Sequence, residues 1–445
     1  MDELLTEKPK RLISLDAFRG ITIAGMILVN NPGNWGKIYP PLGHAHWHGW
    51  TPTDFIFPFF LFIVGVAIVY AFSNRLEVGA PRKSIYLKIA KRTAWLFGIG
   101  LYLSAFRGIP TPELKVLGGL LIIGLLGLYI VPRLSISTEV KEQYLKYIKI
   151  ALTFIVILLA FTGIMDVKLS TLRIPGVLQR IAVTYAIASI IVLNTNIKWQ
   201  AILAVAFLVI YWLAMKLIPV PGYGAGMLAL IDDPTGNKMG NLAWYVDSIL
   251  LKGHTWSGAP AAGFDPEGIL STIPAISTVL FGVLTAHWLK TKKNDLEKVV
   301  MLFVFGVIGL VVGEVMGIWF PINKNLWSPS YTVFMGGMAL LFLAMCYWAI
   351  DIKGYHKWSK PFVIFGSNAI AVYALSSLTA RALVFWWKVP SADGTPMALK
   401  TFLYQHYFES WASPYNASLL WALSYVLIWF IFVWILYRRK IFIKI

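Results

Sequence analysis

The chain has 445 residues, of which 58% are hydrophobic and 13% are charged, and its mean hydropathy is positive. This composition excludes a soluble globular domain and is typical of an integral membrane protein. The formal net charge of +18 would suit a nucleic-acid partner, but the basic residues cluster between apolar runs, as in the cytoplasmic loops of membrane proteins. We therefore expect membrane lipid around the protein and no nucleic acid.

Apolar runs of the length that spans a bilayer, about 20 residues, divide the chain. The sequence predicts an all-α polytopic membrane protein in which residues 1–445 form a single domain of about 12 transmembrane helices. The predicted spans are 13–31, 52–73, 90–106, 114–132, 148–165, 176–194, 199–218, 269–289, 298–320, 330–350, 362–385 and 417–437. The single cysteine, Cys346, excludes an intrachain disulfide.

The basic residues also orient the spans, because Lys and Arg accumulate in cytoplasmic loops. The clusters around Lys8, Lys88, Lys292 and Arg439 all fall on one side if both termini are cytoplasmic. The long Gly- and Pro-rich loop 219–268 then lies on the outer side. We expect a bacterial inner membrane, with the outer side facing the periplasm.

The stretch 43–58 is the strongest candidate for an active centre. It holds three of the seven histidines, His44, His46 and His48, at the outer end of an apolar span. Histidine titrates near neutral pH, so it can act as a general base or as a nucleophile that carries the acyl group. Alternate residues of an extended chain point in opposite directions and no fourth ligand has suitable spacing, so we expect no metal site.

The residues that follow the histidines predict a helix start. Thr51-Pro52-Thr53-Asp54 combines a threonine cap, a proline at the first helical position and a carboxylate in the first turn. Asp54 favours the helix dipole in that position. It can also orient a neighbouring imidazole, and the two roles are compatible.

Polar residues of several other segments reach the same outer depth under this topology. They are Asn30, the Arg173-Ile174-Pro175-Gly176 helix start, Gln179, Arg180, Asp265, Glu267, Glu314 and Lys324. Random placement would scatter them over both faces, so we expect a shared polar site. A charge inside the bilayer is costly, so Arg180 should pair with Glu314 or Asp166, or contact the reacting groups in a polar cavity.

Six motifs, in order from one end of the chain to the other, carry a resemblance to a known family. They are Arg11-Leu12-Ile13-Ser14-Leu15-Asp16-Ala17-Phe18-Arg19-Gly20, the stretch His44 to Pro58, Leu172-Arg173-Ile174-Pro175-Gly176-Val177-Leu178-Gln179-Arg180, Phe264-Asp265-Pro266-Glu267-Gly268-Ile269-Leu270, Ile322-Asn323-Lys324-Asn325-Leu326-Trp327-Ser328 and Tyr437-Arg438-Arg439-Lys440-Ile441-Phe442. With these motifs the chain resembles the heparan-α-glucosaminide N-acetyltransferase family of transmembrane acyltransferases.

The resemblance implies an enzyme that takes acetyl from cytoplasmic acetyl-CoA, as co-substrate, and delivers it to the amine of a glucosamine-type sugar across the membrane. The family's essential histidine falls on His44, its downstream acid on Asp54, and the asparagine that ends its first span on Asn30. By this resemblance we expect two departures from the lysosomal enzyme: no large luminal domain or leading span, and a two-helix insertion at about 114–165.

We therefore assign catalysis to His44, Asp54 and Asn30. The candidate acceptor-binding residues are Asp265, Glu267, Lys324, Arg180 and Gln179. Sugar amines are cationic, so an outer carboxylate pair suits the acceptor, although carboxylates before a helix are also common for structural reasons.

Arg19 and Arg92 are the candidate cofactor-binding residues, because arginine suits the phosphates of CoA. Each has a structural alternative. Arg19 can form an intrahelical pair with Asp16, three residues away. Arg92 belongs to a basic cluster, with Arg82, Lys83 and Lys91, that can be a topology signal alone.

Two other functions stay open on the sequence alone. One is a transporter or flippase for an amino sugar or glycan, in which charges near the midplane line a pathway. Transporters commonly contain internal repeats, and neither the histidine motif nor Arg-Ile-Pro-Gly occurs twice. The other is an O-acyltransferase of an envelope glycan with the same histidine chemistry. The oligomeric state is not fixed by the sequence, and a homodimer is the candidate assembly.

Overall fold

A computed structural model describes residues 12–77, 79–106, 120, 128, 131–133, 137–162, 169–231, 239–391 and 393–443. Most of this part of the chain is helical. The helices are α1 Ile13–Asn30, α2 Ile56–Glu77, α3 Arg82–Ala105, α4 Thr138–Thr162, α5 Val177–Asn194, α6 Ile197–Leu217, α7 Leu242–Leu250, α8 Thr272–Leu289, α9 Asp295–Gly317, α10 Pro329–Cys346, α11 His356–Ser367, α12 Ala369–Phe385, α13 Leu399–Tyr404 and α14 Pro414–Arg438. A short antiparallel hairpin, β1 Lys388–Pro390 with β2 Pro396–Ala398, connects α12 to α13.

The prediction of an all-α polytopic membrane protein is confirmed. Among the described residues, eight helices are long and apolar enough to cross a membrane, and the pair α11 and α12, bent by 73°, would add a ninth. The predicted fourth span, 114–132, lies outside the described residues except for isolated positions, and so does the end of the fifth, 148–165. The count of about 12 and the cytoplasmic placement of both termini stay predictions.

Glycines allow the central helices to approach at backbone contact. A Cβ added to Gly65 of α2 would collide with the carbonyl of Val279, and one added to Gly282 of α8 would collide with the carbonyl of Phe62. Small residues at such crossings are typical of helix packing in membranes, where close van der Waals contact drives association. The crossing holds α2 in the middle of the bundle, and α2 is the helix that starts directly after the histidine stretch.

The start of α1 is fixed in a different way. The carboxylate of Asp351 accepts hydrogen bonds from the backbone N–H groups of Ile13 at 3.2 Å and Ser14 at 3.0 Å. The first N–H groups of a helix have no partner within the helix, so this contact satisfies two of them. Farther along α1, Gly20 allows backbone contact with Phe362 of α11.

The sidedness of the protein gives a first prediction. If both ends of the chain are cytoplasmic, a His44→Cys variant in a Cys346→Ser background should react with an impermeant maleimide added to intact cells. A Lys292→Cys variant in the same background should react only after the cells are opened, because it would lie on the cytoplasmic side. The reverse pattern of labelling would contradict the predicted orientation.

Candidate active site

His44 forms a short hydrogen bond with Asp54 at the start of α2. The His44 Nδ1 atom lies 2.7 Å from Asp54 Oδ1. The second carboxylate oxygen accepts the backbone N–H groups of Ala45 at 3.1 Å and Thr51 at 3.0 Å. A carboxylate only accepts, so the Nδ1–H group donates to it and Nε2 is left as the basic nitrogen of the ring.

The sequence predicted this helix start correctly. Residues Pro52–Phe55 form one 3-10 turn that leads into α2, with Thr51 as the cap residue. The Thr51 hydroxyl donates to the Gly43 carbonyl at 2.6 Å, and the Tyr331 hydroxyl of α10 donates to the Asp54 carbonyl at 2.7 Å. Asp54 is buried, and its carboxylate contacts both the start of the helix and the His44 ring.

Lys324 brings a positive charge to this pair from 280 residues away in the chain. Its Nζ lies 3.4 Å from Asp54 Oδ1, and 2.9 Å and 3.1 Å from His44 Nδ1 and Nε2. Because Nδ1–H already donates to Asp54, Nε2 is the ring nitrogen that can accept a hydrogen bond from the ammonium. Burial lowers the pKa of Lys324, while the charges of Asp54 and Glu267 act in the opposite direction.

A tight turn places Lys324 at this point. The Asn323 side-chain oxygen accepts the Leu326 N–H at 2.9 Å, and Trp327 adopts a positive φ of 49°. Only two non-glycine residues of the described chain have a positive φ, a conformation that is sterically disfavoured for a bulky side chain. Such a backbone persists only where its surroundings enforce it, and here the buried indole of Trp327 packs edge-on against Phe57 and donates to Thr278.

Arg173 and two carboxylates form a second charged group beside His44. Arg173 Nε and Nη2 donate to Asp265 Oδ2 and Oδ1 at 2.8 Å and 2.7 Å, and Nη2 also donates to Glu267 Oε2 at 2.6 Å. Burial opposes the charge of Arg173, but these partners outweigh it and raise its pKa. Burial likewise opposes the charge of Glu267, but Arg173, Arg180 and Lys324 hold the pKa of its carboxyl below the usual range.

Asp265 has a structural role in this group. Its side chain is fully buried, and besides Arg173 it accepts the backbone N–H groups of Trp256 at 2.9 Å and Glu267 at 3.0 Å. Of the two carboxylates that the sequence suggested for binding an acceptor, only Glu267 lines the cavity beside His44. Asp265 fixes Arg173 and the turn that carries Glu267.

Sequence reasoning missed Asp247, which supports the same turn from α7. Its carboxylate accepts the backbone N–H groups of Ile269 at 3.0 Å and Asp265 at 3.3 Å. Burial raises its pKa to about 7, although these two hydrogen bonds favour the charged form. A carboxylate inside the apolar run Leu-Ala-Trp-Tyr-Val-Asp-Ser-Ile-Leu was the signal that could have identified it, because such a charge needs buried partners.

These groups open into one cavity of about 390 Å³, which we call the His44 chamber. Five residues that the sequence analysis named line this cavity from separate segments of the chain: Asn30, His44, Arg173, Glu267 and Lys324. His46 lines the chamber as well, whereas His48 lies 3.3 Å from the Asn323 amide nitrogen. The predicted convergence of polar groups thus occurs around His44.

A further cavity of about 500 Å³ adjoins the chamber. The two share Asn30 and Trp256 as walls, and the second cavity is also lined by Trp35 and Lys400. The Trp35 and Trp256 side chains are both exposed. The space lined by these residues therefore extends beyond the His44 chamber.

Arg180 and Gln179 lie outside the His44 chamber. Both are buried and line a separate cavity of about 220 Å³ that also reaches Glu267. Arg180 donates to Ser271 Oγ and, at 3.3 Å, to the Gly268 carbonyl, and its guanidinium lies 5.1 Å from the Trp327 ring centroid.

The structure does not pair Arg180 with Glu314. Glu314 lies on an exposed face of α9, and Asp166, the other partner suggested by the sequence, falls outside the described residues. The reason is that Arg180 reaches its acceptors on the turn before α8 instead. The carboxylates that act electrostatically on its guanidinium are Glu267, Asp265 and Asp247.

A basic cavity of about 750 Å³ lies towards the other end of α2. Both candidate cofactor-binding residues line it, and Arg19 also keeps its intrahelical pair with Asp16 at 3.1 Å. Arg82 and Lys83, from the same predicted cluster, do not line it. The cationic side chains in its wall are Arg19, Arg75, Lys88, Lys91 and Arg92.

One face of α2 lines both cavities. Ile56 and Phe57 belong to the His44 chamber, and the next turn begins the basic cavity with Phe60, Ile63 and Val64. The same holds for α1, which contributes Met26 to the chamber and Arg19 to the basic cavity. Seven residues of helix separate these two positions, a rise of about 10 Å.

The chain matches two curated proteins, both named heparan-alpha-glucosaminide N-acetyltransferase. The human protein is 28% identical over 99% of the chain and 61% of its own length, and the mouse protein is 27% identical over 98% and 60%. The chain thus spans about three fifths of the length of these relatives, and no protein-family model matches it. This similarity runs along almost the whole chain and confirms the resemblance to the heparan-alpha-glucosaminide N-acetyltransferases that the motifs carry.

Proposed function

We propose that the protein is a transmembrane N-acetyltransferase that moves acetyl from cytoplasmic acetyl-CoA to the amine of a glucosamine-type sugar on the outer side. The observation that carries this proposal is the single face of α2 that lines both the basic cavity and the His44 chamber. A donor held in one cavity can present its acetyl group in the other. The names of the two relatives supply the class of acceptor.

The basic cavity suits the nucleotide end of acetyl-CoA. Its five cations complement the phosphates, and arginine in particular offers paired donors to phosphate oxygens. Trp95 and Tyr185 line the same cavity and provide aromatic surface for the base. The thin arm of the donor would then lie along Ala67, Val64 and Phe60 of α2 towards His44.

The His44 chamber suits an amino sugar. Glu267 keeps its charge because Arg173, Arg180 and Lys324 lower its pKa, so it can bind a sugar ammonium ion. Trp256 lines the chamber and offers a flat face for a sugar ring. The adjoining cavity, reached past the same tryptophan, gives room for further parts of a larger acceptor.

The acetyl transfer depends on Nε2 of His44 as the basic nitrogen of the ring. An ammonium and acetyl-CoA give the N-acetyl sugar, free CoA thiol and one proton. After Glu267 binds the ammonium and one proton leaves to water, the amine attacks the acetyl carbonyl carbon while Nε2 takes the second proton. When the carbon–sulfur bond breaks, the thiolate takes that proton from His44.

Lys324 and Asp54 both support this step. Asp54 stabilises the imidazolium that forms when Nε2 takes a proton, because it accepts the Nδ1–H hydrogen bond at 2.7 Å. The Lys324 ammonium, released from Nε2 as substrate enters, can donate to the carbonyl oxygen as negative charge develops there. Asn30 lines the same chamber and offers an amide donor to the reacting groups.

The direct test is acetyl transfer by the purified protein in detergent. With acetyl-CoA and glucosamine we expect equal amounts of CoA thiol and N-acetylglucosamine. Arg92→Met should raise the KM for acetyl-CoA several-fold, with little change in the KM for glucosamine, because Arg92 lines only the basic cavity. Arg82→Met, the same substitution on the same helix but outside that cavity, is the matched control.

Two results would contradict the proposal. The first is an absence of CoA thiol release with a panel of amino sugars while the protein moves labelled glucosamine into liposomes, which would favour the transporter. The second is a larger effect of Arg92→Met on the acceptor than on the donor.

A further inference from the structure

The residues that follow α14 turn back onto the bundle and form a short segment, 439–443, which we call the tail strap. Lys440 has a positive φ of 55°. The Ile441 N–H donates to the Leu436 carbonyl at 2.9 Å, and the Lys440 N–H donates to the Tyr437 carbonyl at 3.0 Å. These two bonds form the Schellman ending of a helix, which glycine usually provides. Here a lysine accepts the disfavoured conformation, so contacts beyond the turn must hold the strap in place.

Asn368 makes those contacts. It sits at the 73° break between α11 and α12, and its side chain is almost fully buried. Its Nδ2 donates to the Ile441 carbonyl at 3.1 Å, and its Oδ1 accepts the Ile443 N–H at 2.7 Å. The side-chain amide therefore pairs with the strap as a peptide group of a neighbouring strand would.

The strap ends in the wall of the basic cavity. Ile443 lines that cavity together with Ser367 and Ile370, which flank Asn368 on the two helices. Phe442 packs edge-on against Tyr437, with ring centroids 6.2 Å apart, and so fixes the strap to the end of α14. One buried amide thus links the helix break, the strap and the cavity wall.

We propose that Asn368 is a positioning residue of the donor site, which closes the basic cavity around acetyl-CoA by holding the tail strap in its wall. The inference rests on the proposed donor role of that cavity. Asn368 does not touch the reacting atoms; it acts through Ile443. Loss of its two hydrogen bonds frees the strap and leaves one side of the cavity open, so that CoA dissociates more readily.

The first test measures CoA binding to the purified full chain by calorimetry. Asn368→Ala should raise the CoA Kd about tenfold, because the strap loses both of its hydrogen bonds to Asn368 and no longer completes the cavity wall. The KM for acetyl-CoA should rise with it, while kcat at saturating donor stays within about twofold. The matched control is Asn416→Ala at the other end of α14, where Asn416 accepts from the exposed Tyr39 hydroxyl at 2.7 Å.

The second test keeps Asn368 intact and reports on the strap itself. In a Cys346→Ser background, an Ile443→Cys variant should react with a thiol reagent severalfold more slowly when CoA is bound. Adding Asn368→Ala should speed the reaction and weaken the protection. Ile443→Ala, which keeps both hydrogen bonds to the backbone but removes the side chain from the wall, should also raise the CoA Kd.

The outcomes separate this inference from the proposed function. Wild-type protein that binds no CoA would refute the donor cavity itself. Normal CoA binding in Asn368→Ala and Ile443→Ala, with equal thiol reactivity with and without CoA, would refute the tail strap alone. Tighter CoA binding in Asn368→Ala would also overturn the inference, because the strap would then obstruct the cavity.

Discussion

His44→Ala is expected to reduce acetyl transfer by about 100- to 10,000-fold, the range that a general base contributes. The Nε2 atom of the imidazole is the basic nitrogen that Asp54 orients through the Nδ1–H bond on the other side of the ring and that Lys324 contacts. CoA binding should stay within about twofold of wild type, because the cations that would hold the donor lie in the other cavity. Turnover of glucosamine by purified variant, with CoA affinity measured on the same sample, checks both parts.

Four other variants make this prediction specific. Asp54→Asn should cost less than His44→Ala, since it alters the orientation of the ring and leaves the imidazole in place. His46→Ala and His48→Ala should be milder again, because neither contacts Asp54 or Lys324. His406→Ala, which removes an exposed imidazole stacked on Phe402, is the control for losing a histidine elsewhere. Near-normal turnover by well-folded His44→Ala protein would refute the catalytic role of the imidazole and favour the transporter.

The sequence was informative where function depends on local pattern. The cap, proline and carboxylate of residues 51–54 define a helix start in any context, so the proximity of Asp54 to the histidine stretch could be predicted from neighbouring residues. That inference needs no knowledge of how distant helices pack. Arg19 and Arg92 were candidates because arginine suits phosphates, but only the packed helices show that both line one cavity.

Long-range pairing was not accessible in the same way. Lys324 could be placed at the right depth, but its contact with His44 depends on the strained turn at Trp327. Arg173 was a helix-start residue in the sequence, and only the packed turn shows that it neutralises Asp265 and Glu267. The pairing of Arg180 with Glu314 failed because equal depth in a bilayer does not determine which face of a helix a side chain occupies.

The break at Asn368 illustrates a different limit. The run 362–385 is mainly apolar and was predicted as one span, yet the structure divides it into two helices at a 73° bend. A lone asparagine within the run is a weak signal, since asparagine is tolerated inside helices as well. The partners of its side-chain amide lie in the tail strap, more than 70 residues later, and only the structure shows them.

Arg173→Met is expected to destabilise the protein by about 3–5 kcal/mol, the usual cost of removing one partner from a buried ion pair. Asp265 would keep a buried carboxylate without its two guanidinium bonds, and Glu267 would lose its shortest hydrogen bond. The turn that carries Glu267 into the His44 chamber would loosen, so acetyl transfer should fall as well. Arg173→Lys should be intermediate, because an ammonium keeps the charge but cannot reproduce the paired donors.

The pH dependence of stability gives this prediction its sharpest form. In the wild-type protein the pKa of Glu267 is lowered, so its contribution to stability is present at neutral pH and is lost as the pH falls through the acidic range. Without Arg173, burial raises the pKa values of the Asp265 and Glu267 carboxyls. These groups then take up protons in the folded state as the pH falls, so the variant gains stability relative to wild type between pH 8 and pH 5. Thermal unfolding of both proteins in detergent at the two pH values measures this difference. Adding Asp265→Asn to Arg173→Met should recover part of the lost stability at pH 8, because it removes one unpaired charge. A variant with wild-type stability and the same pH dependence would show that the three side chains do not act as a buried charge cluster.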